Sequence, residues 1–454
     1  MTRIEIPKTD KKRAVILGGG FAGLNAAAKL DERKFQVVLI DKNNFHTFQP
    51  LLYQVAGAGL EPESICSPLR KTLKNKVDFH FRMAVVRSVD TARQEVETDR
   101  GTLMYDDLII ALGAETNFFG NKNFERNTFP LKELADAAML RDQIFNCLES
   151  AMFAKLPEQQ QSLLNFVIVG GGPTGVELAG ALAELKRHVL PKDYPDLDTQ
   201  RVRIHLLEGT GRLLSGMSKK AGHVALRYLE KLGVSVELNV RVSDYDGQTL
   251  RTADGRSIAT HTVVWAAGIS PRRIAGLEAL RTDRGRLVVD RFNRTVRNDN
   301  GIEAHLFVLG DGALMRLPGW EQGLPAMAPA AIQQGRQVAL NLNRRERRQP
   351  EIPLSFRDKG VMATVGRNLA VAELRGRTVA GFWGWFLWMA VHLWYLIGFR
   401  NKAVVFVNWV ISYFTYDRGV RLITPPGKNV ETSLQKDDDI LHPQGNCGEV
   451  SVLR

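Results

Sequence analysis

Cysteine is scarce. The 454 residues hold only Cys66, Cys147 and Cys447, with no C-x-x-C pair and no zinc-knuckle spacing among them. A thiol redox pair is thereby excluded, and isolated reduced thiols suit a reducing compartment. RNA-binding aromatic motifs and zinc-finger spacings are missing too. The excess of 61 Lys and Arg over 49 Asp and Glu, a formal net charge of +12, is therefore assigned to an acidic cofactor or an anionic lipid surface, not to nucleic acid. The amino terminus, MTRIEIPKTDKKRAVILGGG, has neither an apolar h-region nor an Arg- and Ser-rich leader, which predicts no secretion or organelle signal. With 44% hydrophobic and 24% charged residues, neither disorder nor a polytopic membrane protein fits the whole chain. Its length allows two or three domains of about 100–200 residues each.

What is present is a glycine turn, twice. In RAVILGGGFAGLNAAAKL an apolar strand runs into Gly18-x-Gly20-x-x-Gly23 and then into an Ala-rich helix. Gly18 permits the tight turn, Gly20 lets the main chain approach a pyrophosphate, and Gly23 lets the helix pack on the strand. The helix amino terminus offers unpaired N–H groups and a partial positive charge to the phosphates. About twenty residues on, a second strand ends in Asp41, a ribose acceptor. The pattern recurs in NFVIVGGGPTGVELAGALAEL, with Gly170-x-Gly172-x-x-Gly175, and its following strand ends in Glu208. A carboxylate there pairs with a 2′-hydroxyl and repels a 2′-phosphate, so NADH is expected in preference to NADPH.

Two dinucleotides in one chain imply transfer of electrons from one to the other, most simply a nicotinamide giving hydride to a flavin. Apolar strands ending in Gly113 and Gly268 mark the crossings between two dinucleotide units, and another ends in Gly310-Asp311, where a carboxylate can hold the ribityl and phosphate arm of FAD.

With these motifs the chain resembles the type II NADH dehydrogenases, non-pumping NADH:quinone oxidoreductases of the two-dinucleotide-binding-domain flavoprotein superfamily. The likeness runs from residue 11 to about 424 and is strongest in DKNNFHTFQPLLYQVAGAGL, GGGPTGVELAG, VLGDGALM and PAMAPAAIQQG. It implies non-covalent FAD on the first turn (Gly18, Gly20, Phe21, Ala22, Gly23, Asp41, Lys42, Thr47, Gly113, Asp311, Ala330, Ala331), NADH on the second (Gly170, Gly172, Pro173, Thr174, Gly175, Glu208, Gly268), and no metal. It also implies an acid, Glu177, near the meeting of nicotinamide, flavin and quinone, where it orients the donor or relays a proton. The family's quinone motif commonly reads A-Q-x-A-x-Q. Here Pro329 replaces its first Gln, leaving Gln333, with Gln334 beside it, as the amide for a quinone carbonyl. Proline suits the first turn of a helix, so Pro329 is expected to start one whose amino terminus faces the flavin. A sulfide:quinone oxidoreductase would need a reactive cysteine pair. A reductase of a soluble acceptor and a partner-binding flavoprotein with incidental redox activity are the alternatives, and a homodimer is left open.

Between Arg377 and Arg400 lie 22 uncharged residues, including four Trp. RTVAG at 377–381 reads as strand and turn, which leaves a helix over 382–399. Its rings are spread along its length, whereas spanning helices gather them at the ends, and Arg and Lys flank it on both sides. The next segment, 403–416, carries Asn408, Ser412 and Thr415 as a polar stripe on an apolar helix. Two helices lying on the bilayer are expected, with the enzyme on the cytoplasmic face of a prokaryotic membrane.

The expected fold is α/β: two Rossmann-like three-layer dinucleotide-binding domains, the second inserted in the first, plus a C-terminal amphipathic helical anchor. Residues 11–128 and 276–378 form the FAD domain, 129–161 a helical connection, 162–275 the NADH domain, 379–424 the anchor and 425–454 a loose polar tail.

Overall fold

The computed structural model describes residues 2–374, 376–416 and 419–423; the expected polar tail and Cys447 lie outside them. Six helices position the site: α1 (Phe21–Lys29), α2 (Leu134–Phe153), α3 (Pro173–His188), α4 (Ala328–Arg345), α5 (Phe382–Tyr395) and α6 (Phe399–Thr415).

The strand Lys12–Leu17 is buried through its last four residues, as a strand covered on both faces should be. It pairs in parallel with Phe35–Asp41, from Lys12 opposite Phe35 to Leu17 opposite Ile40, and on its other side with Asp107–Ile110. Phe79–Met83 flanks Phe35–Asp41, and Ile302–Val308 flanks Asp107–Ile110. The chain thus leaves this sheet after Ile110 and rejoins it only from Thr282 onward, through the antiparallel strands Thr282–Asp283, Arg286–Val289 and Arg294–Val296 that lead to Ile302–Val308. In between it builds a second parallel sheet, Phe129–Pro130, Thr262–Trp265, Asn165–Val169, Arg203–Glu208 and Ser235–Leu238, in that order. The outgoing and returning crossings run antiparallel to each other, Ala114–Thr116 against Ile269–Pro271.

Three stretches differ from expectation. The connection expected over 129–161 opens as an edge strand, Phe129 and Pro130 opposite Val264 and Trp265, a place that tolerates a proline without an N–H. The segment 361–378 does not join the first sheet. Val361–Gly366, Leu369–Leu374 and Arg377–Gly381 form a separate antiparallel sheet packed on α3, which approaches so closely at Gly180 that a β-carbon there would stand 1.6 Å from the Val365 carbonyl oxygen. The first of the two helices expected near the carboxyl terminus, over 382–399, ends four residues early, and the second begins at Phe399. α5 stops at Tyr395, Leu396 is extended, and Gly398 takes φ +89° before α6 begins. Leu396 is buried and the Ile397 carbonyl accepts a hydrogen bond from Ser67 Oγ at 3.1 Å, so the break is held by the body of the protein. Among the described residues no helix is long and apolar enough to cross a membrane.

Gly180→Ala should destabilise the fold by about 1–3 kcal/mol, the usual cost of overpacking, read as a lower denaturation midpoint. An unchanged midpoint would mean that α3 and the 361–381 sheet are not locked together there.

Candidate active site

The two turns are built alike. Gly18 takes φ +100°, and a β-carbon on it would lie 2.3 Å from the Ala111 carbonyl oxygen; one on Gly23 would lie 1.9 Å from the Gly18 carbonyl oxygen. Around Gly20 a β-carbon would meet nothing within 4 Å. Gly170, Gly175 and Gly172 repeat the arrangement, with φ +115° at Gly170 and 2.4 Å to the Ala266 carbonyl oxygen. Each following helix has a glycine as its amino-terminal cap and no side-chain cap, so its first N–H groups await another acceptor. Each strand-end acid is fastened to its own turn. Asp41 accepts from Gly19 N at 2.5 Å and Asn43 N at 2.7 Å, and Glu208 accepts from Gly171 N at 2.6 Å and Thr210 N at 2.7 Å. Burial raises the Asp41 pKa despite those two N–H bonds.

A cleft of ≈ 590 Å³ opens where the amino termini of α1, α3 and α4 converge. Its lining includes Gly18, Gly20, Phe21 and Ala22 from the first turn, then Asp41, Lys42, Thr47 and Gly113. Pro173, Thr174 and Glu177 of α3 join them, as do Asp311, Pro329 and Ala331. Polar groups face one another in it: Glu133 accepts from Lys42 and from Arg272, each at 2.5 Å, and Lys132 stands 3.5 Å from Asp311. Phe48, Tyr53, His392 and Tyr395 supply aromatic wall.

Several expected residues are elsewhere. Gly23, Gly175 and Ala330 are buried behind the lining. Gly170, Gly172 and Glu208 form the second turn outside this cleft, and Gly268 abuts the Phe119 ring. Pro329 does begin α4. Gln333, however, is spent on the main chain: its Nε2 donates to the Arg357 carbonyl at 2.9 Å and its Oε1 accepts from Arg357 N at 2.9 Å. Gln334 is buried, accepting from Gly310 N and donating to Asn293 Oδ1, both at 2.8 Å. Neither amide lines the cleft, because the α4 face that carries them packs against protein.

Glu177 is 8% exposed. Burial pushes its carboxyl up to about 8, against the opposing pull of the Thr364 N–H, 3.3 Å away, and of the Trp388 indole. That indole N–H stops short of a full hydrogen bond and has no partner among the described residues. Glu177 lies beyond the first turn of α3, and its burial favours the protonated carboxyl.

Sequence reasoning missed the groups that cover it. Trp388 stacks on His392 with 4.2 Å between ring centres, and burial lowers the His392 pKa to about 4 while its Nδ1 donates to the Trp388 carbonyl at 2.7 Å. His46 Nδ1 donates to the Gly19 carbonyl at 3.0 Å, leaving a buried Nε2 with no partner among the described residues beside the first turn. The one available signal was a histidine inside an otherwise apolar or aromatic run, in NNFHTFQP and WMAVHLWY.

Two of the three residues of the α6 polar stripe, Asn408 and Ser412, face inward, and Thr415 is exposed. Asn408 donates to Glu61 Oε2 at 2.8 Å and Ser412 lines an internal cavity, while Thr415 turns back on the Ile411 carbonyl. The outward faces of α5 and α6 are aromatic and aliphatic, with Trp383 70% and Trp394 77% exposed on α5 and Phe399 88% and Phe414 77% on α6.

The sequence profile of the pyridine nucleotide-disulphide oxidoreductases matches residues 12–335. The chain is 36% identical to the type II NADH:quinone oxidoreductase Ndh of Mycobacterium tuberculosis, over 97% of both chains. Its fold is similar to that of NDH2 from Plasmodium falciparum in complex with NADH, with a TM-score of 0.82 at 20% identity over 91% of this chain and 100% of that one. It is less similar to the sulfide:quinone oxidoreductase of Aquifex aeolicus, with a TM-score of 0.65 at 17% identity over 89% and 95%.

Because the Glu177 pKa rises from 4.5 to about 8 on folding, the folded protein holds a proton that the unfolded chain has lost throughout that window. Stability should therefore fall as pH rises through it, by on the order of a few kcal/mol at most. Glu177→Gln should flatten the slope of denaturation midpoint against pH; an identical slope in the variant would place the carboxyl in contact with solvent.

Proposed function

The chain belongs to the type II NADH:quinone oxidoreductases, within the pyridine nucleotide-disulphide oxidoreductase family, and on that premise we propose that it passes electrons from NADH through non-covalent FAD to a membrane quinone without pumping protons. The observation that carries this reading is the single cleft onto which the capless amino termini of α1 and α3 both open, with Glu177 on its wall.

The residues of the first turn fit FAD. The space around Gly20 admits a pyrophosphate to the main chain, Asp41 keeps lone pairs for ribose hydroxyls, Asp311 stands where a ribityl arm would pass, and the unpartnered His46 Nε2 is an acceptor for a hydroxyl. Bound FAD accepts a hydride and returns two electrons to an acceptor. The protein's own task is to hold the donor against it and to keep water out. The second turn takes NADH, with Glu208 repelling a 2′-phosphate. Among the described residues, neither Cys66, pushed up to about 11 by burial, nor buried Cys147 is paired with a second thiol, which favours direct transfer without a disulfide step.

At the far wall Glu177 carries a proton in reach of a ring oxygen, and α4 directs its positive end into the same space. With Gln333 and Gln334 engaged elsewhere, the quinone is held by apolar and aromatic walls, Phe48, Tyr53, Tyr395 and neutral His392, more than by a side-chain amide. The exposed rings of α5 and α6 lie in lipid and bring the cleft to the membrane surface where quinone is dissolved, on the cytoplasmic face.

Anaerobic mixing of the purified protein with NADH should bleach the flavin within one turnover, NADPH should do so much more slowly, and a short-chain quinone should restore the colour at a rate that supports steady-state turnover. Glu177→Gln should slow the quinone step by roughly a hundredfold, the lower end of general-acid effects, while FAD stays bound. Restoration by a soluble acceptor and not by quinone would overturn the assignment.

Each aromatic ring sunk in lipid contributes about 1.5–3 kcal/mol, so Trp383→Ser with Phe414→Ser should weaken partitioning to vesicles by at least about a hundredfold. Unchanged partitioning would move the membrane contact to another face.

A further inference from the structure

Glu177, Ala181, Glu184 and His188 stand on α3 at the spacing i, i+4, i+7 and i+11, which is one face of a helix. All four line a second cavity, of ≈ 110 Å³, that shares only Glu177 and Tyr53 with the cleft. A water needs about 10–15 Å³ of such space, so the cavity has room for a file of several. Its walls are largely aromatic, and the polar groups among them, Glu177, Glu184, His188, Arg367 and Ser412, give those waters partners. Ala181 supplies the gap: from Glu177 to Glu184 the helix rises about 10 Å, and only a methyl group stands between them.

The end remote from Glu177 reaches the partly exposed Glu184, His188 and Tyr416 and is framed by a stack of side chains. The Arg367 guanidinium lies 4.0 Å from the centres of the Tyr413 and Tyr416 rings, Tyr416 stacks on His188 at 4.0 Å, and the Arg367 N–H donates to Glu184 Oε1. The buried Arg367 Nη1 has no partner among the described residues.

We propose that this cavity is a proton inlet, a water file along α3 from Glu184 and His188 to Glu177 that is separate from the cleft through which NADH and quinone enter. The inference rests on the function proposed above. The reaction NADH + H⁺ + quinone → NAD⁺ + quinol takes one proton from solvent in each turnover, since the hydride accounts for both electrons and one hydrogen. Glu177 supplies that proton: its O–H breaks as an O–H forms on the quinone oxygen, and the carboxylate left behind takes a proton from the file. A cleft filled by nucleotide and ring excludes water, so a second approach is required. The groups around the file are Tyr53, Glu184, His188, Arg367, Tyr413 and Tyr416, with His392 stacked beyond Trp388. Burial that raises the Glu177 pKa agrees with a donor that must be reloaded.

The test uses the FAD-loaded protein carrying Ala181→Leu, which plugs the file, or Glu184→Gln. In both, bleaching by NADH should keep the wild-type rate, while reoxidation by quinone should slow by about tenfold at alkaline pH and recover toward wild type at acid pH. Independently of turnover, infrared spectroscopy in D₂O should show slower exchange of the Glu177 carboxyl, identified by its loss in Glu177→Gln. Wild-type exchange and reoxidation in folded variants would overturn the inlet. Where Ala181→Leu does not fold, the size-neutral Glu184→Gln decides alone. If quinone fails to reoxidise even the wild-type flavin, the function proposed above fails, and the infrared exchange still decides whether this cavity feeds Glu177.

Discussion

At Gly18 the place of a β-carbon lies 2.3 Å from the Ala111 carbonyl oxygen, and at Gly170 the corresponding distance to Ala266 is 2.4 Å. No side chain fits at either point, and both φ angles belong to glycine. These two close approaches direct α1 and α3, and each turn is then fastened by its own strand-end carboxylate, Asp41 to Gly19 and Glu208 to Gly171. A phosphate-seeking helix end is thereby fixed before any ligand arrives, which spares binding the cost of ordering the loop.

The carboxyl of Glu177 depends on that same α3 and on the segment that covers it. The 361–381 sheet sits on α3 because Gly180 admits it, the Thr364 N–H reaches Glu177, and Trp388 with His392 closes over the remaining side. One aromatic helix thus serves two surroundings. Its inner rings help to bury an acid, and its outer rings meet whatever lies outside the protein. A helix placed this way also governs the surroundings of the site, since loosening α5 would admit water to Glu177.

What the sequence made legible was local and repeated. Strand, glycines, helix and acid succeed one another within a few dozen residues, so Gly18, Asp41, Gly170 and Glu208 could be found by spacing. The rest depends on contacts made across the chain. The break at Leu396 to Gly398 is held by Ser67, hundreds of positions earlier, so hydrophobicity alone ran the helix on to 399. Gln333 looked available because nothing local reveals that the Arg357 main chain would occupy its amide. The stripe of Asn408 and Ser412 was visible, but only Glu61 and the inner cavity reveal that it faces inward. His46 and His392 gave a weak signal, a polar ring among apolar ones, whose meaning depends on what is packed around them.

The account stands or falls on the group held by the first turn. Denaturing the purified protein and identifying the released chromophore by absorbance and mass tests this most directly. Stoichiometric FAD, freed without breaking a covalent bond, is the predicted result; a colourless protein, or one whose only bound nucleotide lacks a flavin ring, would contradict it.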